Sequence, residues 1–95
     1  MKSYPTGTTV TLRCTFKNEE GQSVDPTVVK LIIYNHKYEI TETINVTTKK
    51  EVGEYYHRYV TPAKSQTIIY EWNGEIDGLP SVERNSFLTK FMVGS

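Results

Sequence analysis

The chain of 95 residues carries eleven basic and eleven acidic side chains, a formal net charge of zero, and a single cysteine. A balanced charge argues against a nucleic-acid binder, which needs surplus Lys and Arg to displace counterions from phosphates, and against electrostatic docking on an anionic membrane. One cysteine rules out an internal disulfide, and a chain of this length builds one domain, residues 1–95, around one modest core.

The opening Met1-Lys2-Ser3-Tyr4-Pro5 has no signal-peptide character, and no apolar run approaches ~18 residues. The expectation is synthesis in a reducing cytoplasm without export by a signal of its own, which an unpaired thiol also fits. A neutral surface offers little repulsion between copies, so self-association would come easily.

Tyr4-Pro5-Thr6-Gly7 reads as a lead-in, since Pro cannot donate to a ladder. Thr8 to Lys17 is the clearest strand: Val10, Leu12, Cys14 and Phe16 alternate with Thr11, Arg13, Thr15 and Lys17, so one face is dry and the other wet. Asn18-Glu19-Glu20-Gly21-Gln22 is a turn, with Gly21 available for a positive φ. Val24-Asp25-Pro26-Thr27 feeds a second strand, Val28 to Tyr34, which buries Val29, Leu31 and Ile33. Its other row, Lys30, Ile32 and Tyr34, is unusually apolar for solvent. Either something covers that row or the register is shifted by one.

Asn35-His36-Lys37 connects to a strand over Tyr38 to Val46. There Tyr38, Ile40, Ile44 and Val46 share a parity, and Glu42 marks a bulge or a sheet switch. Thr47 to Glu51 is a polar connection. Tyr55 to Pro62 places Tyr55, His57 and Tyr59 on one face; Thr67 to Trp72 does the same with Ile68, Tyr70 and Trp72. Asn73-Gly74 has tight-turn chemistry. Glu75 to Asn85 reads as an irregular excursion, Ser86 to Val93 as the closing strand with Phe87, Thr89 and Phe91 on one side, and Gly94-Ser95 as a frayed end.

No stretch has the repeat of an amphipathic helix, and β-branched and aromatic residues fill every run. About seven short strands with turn signals every ~8–12 residues predict an all-β fold, an immunoglobulin-like antiparallel β-sandwich. A small closed barrel also fits the pattern.

Little in the chain suggests chemistry. His36, His57 and Cys14 lack zinc-site spacing, and Asp25 and Asp77 are isolated acids at turns. Cys14 and His57 share an inward parity, where such residues pack more often than they react. The glutamates, Glu71 among them, are scattered at turns or outward positions and read as solvated surface. No glycine loop cradles a phosphate, and Asn45-Val46-Thr47 is a chance sequon. No cofactor, metal or catalytic residue is expected. Tyr55, Tyr59, Tyr70 and Trp72 have interior parity. Tyr34, Tyr38 and Tyr56 have the parity to lie outside, open to a carbohydrate or protein contact, but core and cross-strand pairing is the favoured reading of the tyrosines over a sugar platform.

Three motifs carry a family resemblance: Tyr4-Pro5-x-Gly7-Thr8-x-Val10-x-Leu12, Val24-Asp25-Pro26-Thr27-x-Val29-x-Leu31-x-Ile33-Tyr34, and Gly53-x-Tyr55-x-x-x-Tyr59-x-Thr61-Pro62 followed by Tyr70-Glu71-Trp72-x-Gly74. Over roughly Tyr4 to Phe87 the chain resembles the small immunoglobulin-like structural and accessory proteins of tailed bacteriophages and prophages. The resemblance implies a non-enzymatic virion component, attached to the capsid, the head-to-tail connector of the neck, or the tail. Its expected partners are other virion proteins and further copies of itself, with neither nucleic acid nor membrane bound. The candidate docking face is Lys30, Ile32 and Tyr34, with the Glu75–Asn85 segment as the alternative cover for that row. A carbohydrate- or cell-surface-binding module is the competing function, because fold alone does not separate the two.

Overall fold

A computed structural model describes residues Lys2 to Val93. Its strands are β1 (Ser3–Pro5), β2 (Thr9–Thr15), β3 (Lys30–Tyr34), β4 (Ile40–Asn45), β5 (Lys49–Glu51), β6 (Glu54–Val60), β7 (Gln66–Ile76) and β8 (Leu79–Lys90). No helix forms among the described residues. The strands divide into a five-stranded sheet, β1-β8-β7-β3-β4, and a three-stranded sheet, β2-β6-β5. All pairs are antiparallel except β1 with β8. Two open sheets replace the closed barrel. The partition is that of an immunoglobulin-like sandwich, with β2, β5 and β6 on one side and β3, β7 and β8 on the other.

The dry face of β2 is buried as its alternation predicts: Val10, Leu12, Cys14 and Phe16 all lie in the core. Across from them the five-stranded sheet contributes Leu31, Ile33, Ile68, Trp72 and Phe87, while β6 adds Tyr55 and Tyr59. Phe87 gathers the rings. Tyr4 meets it edge-on at 5.3 Å, with Tyr59 and Tyr70 at 6.4 and 6.1 Å. Edge-on pairs of this kind add about 0.5–1.5 kcal/mol each beyond the area they bury.

Three expectations fail in the second half of the chain. Asn73-Gly74 is no turn, because both residues lie within β7, paired with Val82 and Ser81. A Cβ at residue 74 would sit 2.8 Å from the Pro26 ring and 2.9 Å from the Phe16 ring, so glycine is there for close approach. The reversal comes instead at Asp77-Gly78, with φ of 52° and 78°, the paired positive values of a tight hairpin turn. The supposed excursion from Glu75 to Asn85 is therefore the distal half of the β7–β8 hairpin. Finally, the closing strand ends at Lys90, and Phe91 is 75% exposed instead of inward. Gly94-Ser95 lies outside the described residues.

Smaller departures have local causes. β4 starts at Ile40, and the register slips opposite Tyr34 so that Thr41 is the extra residue of a bulge. The bulge puts Ile40 on the outer face beside Tyr34, while Ile44 stays inward beside Leu31. Two short strands, β1 and β5, arise from the lead-in and the polar connection.

Two turns share one build. Asn18 Oδ1 accepts from the N–H groups of Glu20 and Gln22, and Asn35 Oδ1 accepts from those of Lys37 and Glu39. The fourth residue is left-handed in both: Gly21 at φ 81° and Tyr38 at φ 63°.

Candidate docking surface

The row Lys30, Ile32, Tyr34 points outward from β3, near the middle of the five-stranded sheet. Register places Ile32 between Thr43 of β4 and Glu71 of β7, and Tyr34 between Ile40 and Ile69. Lys30 lies between Asn45 and Asn73. Ile40-Tyr34-Ile69 thus forms an apolar line across three strands, with Ile32 beside it. Ile32 and Tyr34 are half-buried by their sheet neighbours, and Lys30 is exposed. The alternative cover does not apply, since Glu75–Asn85 is bonded into the same sheet instead of folded across it.

Sequence reasoning missed the polar centre of this face. Glu71 has outward parity and was expected to be solvated, yet it is 5% exposed. Tyr34 donates its hydroxyl to Glu71 at 3.4 Å, and Asn73 and Arg84 donate to the same carboxylate. Burial pushes the Glu71 pKa up, but these hydrogen bonds and the Arg84 charge outweigh it and hold the group below its ordinary value. The carboxylate is charged at neutral pH and orients the Tyr34 ring. Nothing local announces the cluster, because its donors come from three strands.

A second carboxylate does comparable work where the chain crosses between sheets. Asp25 accepts from Lys49 at 2.6 Å, from the Gly53 N–H at 2.9 Å and from the Tyr55 hydroxyl at 3.1 Å. The Lys49 and Gly53 bonds lower its pKa, and Asp25 in turn raises that of Lys49. The isolated turn acid of the sequence is a hub that ties the β2–β3 crossing to the β5–β6 hairpin.

Other candidates are not brought together. Cys14 pairs with Tyr55 across the ladder and His57 with Leu12, and the Cys14 thiol donates to Glu83 at 3.4 Å. Burial first, then the Glu83 charge and hydrogen bond, push the Cys14 pKa up to about 12, so the thiol stays protonated. Tyr55, Tyr59 and Trp72 are interior and Tyr70 is half-buried. The outer tyrosines are dispersed: Tyr34 on the larger sheet, Tyr38 at a turn with 77% exposure, and Tyr56 on the smaller sheet. Compared with known protein families, with curated proteins and with solved structures, the chain finds no match.

Proposed function

We propose that this protein is a non-enzymatic docking component of a tailed-phage virion, of the capsid, neck or tail, held by the outer face of its larger sheet. The observation that supports the reading is the line Ile40-Tyr34-Ile69 with Ile32 beside it, left open by the chain's own hairpin. An apolar strip around a neutralised charged pair suits burial against another protein: the strip loses water favourably, and Glu71 already has its donors. Many copies on a repeating shell would make weak individual sites strong.

Ile32→Asp tests this directly. The variant should lose co-sedimentation with phage particles while its unfolding free energy in urea falls by only about 1–2 kcal/mol, since Ile32 is half-buried and lies opposite Glu71. Unchanged incorporation would refute the docking face. Retention of the wild type by a cell-wall polysaccharide, with no association with particles, would favour the carbohydrate module.

A further inference from the structure

The four sheet margins are not equally protected. β4 carries the Thr41 bulge and sets the exposed Glu42 at core-facing parity; β1 has three residues and ends in Pro5, and the part of β8 that it leaves uncovered carries Pro80 and sets the exposed Glu83 at core-facing parity; β5 has three residues, all charged. These are the usual means of discouraging a further strand. β2 has none of them. It is seven residues of unbroken register, free of proline and bulge, and it pairs with β6 alone.

The ladder parity follows from both ends of β2. Thr61 N–H donates to the Thr8 carbonyl and Phe16 N–H donates to the Gly53 carbonyl, so even-numbered residues bond to β6. The N–H and C=O groups of Thr11, Arg13 and Thr15 therefore face away from it. Two hollows of about 450 and 470 Å³ meet along this margin, sharing Thr11 and Arg13. One lies over the outer face of the smaller sheet; the other opens between β2 and β8, with Tyr70 and Phe87 in its lining. Around the two, Lys2, Arg13, Lys50 and Arg58 outnumber Glu54 and Glu83, the latter hydrogen-bonded to the Cys14 thiol. In a chain with no net charge, this is a local basic surplus.

We infer that the free margin of β2 receives an extended acidic segment of another protein as an added strand. The margin alternates donors and acceptors at strand spacing, which a peptide backbone matches; a polyanion without N–H groups would leave the outward carbonyls unpaired. Alternate side chains of the added strand would point to the two sides. Carboxylates would meet Arg13, Lys50 and Arg58, and apolar groups would enter the hollow beside Tyr70. This inference is independent of the docking face on the larger sheet.

The test uses ¹⁵N-labelled full chain and a blocked heptapeptide alternating glutamate with valine, against the same peptide with lysine for glutamate. The glutamate peptide should slow amide exchange at Thr11, Arg13 and Thr15 about tenfold, and the lysine peptide should bind about tenfold more weakly. Thr11→Pro removes one outward N–H at a margin position where proline is tolerated, and should weaken glutamate-peptide binding about tenfold. Arg13→Glu, an exposed substitution that keeps the fold, should reverse the preference between the peptides. Ile32→Asp should bind as wild type. Exchange unchanged at the three amides, or wild-type affinity in both Thr11→Pro and Arg13→Glu, would overturn the inference. So would protection of those amides by self-association before any peptide is added.

Discussion

Asp25 and Glu71 accept nearly the same set of donors: a cation, a tyrosine hydroxyl and an amide N–H. They differ in what they join. The donors of Asp25 lie 24 to 30 residues along the chain, on a hairpin of the other sheet from the strand it leads into, so losing them frees a crossing. The donors of Glu71 sit on β3, β7 and β8, strands already laddered together, so losing them disturbs a surface more than a fold. Similar chemistry thus serves as a latch in one place and, in the other, as a device that orients Tyr34 on the face we propose for docking.

The contrast sets an order of effects. Gly53→Ala should be the most damaging change, because Gly53 holds φ at 79° and an added Cβ would lie 2.8 Å from the Phe16 carbonyl oxygen. A loss of about 2–4 kcal/mol in urea unfolding is expected. Asp25→Ala should follow, since it strands the Gly53 N–H, and its fall in urea midpoint should exceed that of Glu71→Ala. For the latter, about 1–2 kcal/mol is expected, with particle association lost more completely than stability. Equal midpoints for the two variants would show that the latch and the orienting cluster do not differ as described.

Acid should expose both sites. A carboxylate whose pKa is lower in the folded than in the unfolded chain stabilises fully above its unfolded value and loses that contribution as pH falls through the folded one. The ordinary values are 3.8 for Asp25 and 4.5 for Glu71, and both are lowered. Urea midpoints should hold from neutral pH down to about pH 5 and fall below it. The double variant Asp25→Asn, Glu71→Gln should flatten that fall. The smallest effect belongs to Tyr34→Phe, which removes one long hydrogen bond: about 0.5 kcal/mol or less of stability, with weaker particle association as the readout.

Much of the sandwich is legible in sequence because one-sided burial writes a period of two into β2, β3 and β6. Val10 to Phe16 and Val29 to Ile33 could be assigned to the core without any tertiary information. Asn73-Gly74 misleads because local turn chemistry and close packing ask for the same residue, and here Pro26 and Phe16 demand it. Three-residue strands such as β1 and β5 are too short to carry a period. The break in parity at Glu42 announces a bulge, which the ladder places at Thr41; that one-residue offset is why Ile40, counted with Ile44, faces outward. The row Lys30, Ile32, Tyr34 stands out by composition alone, whereas Glu71 and its donors become visible only when β3, β7 and β8 are laid side by side.

The proton held by Cys14 gives the molecule its own gauge of opening. With the unfolded thiol ionising near 9.0 and the native one near 12, this thiol adds about 1.4 kcal/mol per pH unit to the alkaline loss of stability over that interval, beside the share of Tyr55, Tyr59 and Tyr70, whose pKa values burial also raises; Cys14→Val should remove the thiol's share alone. Below that interval, alkylation has to wait for the sandwich to part. Labelling rate then reports how often the β2 margin opens, with the buried thiol as the only reporter needed.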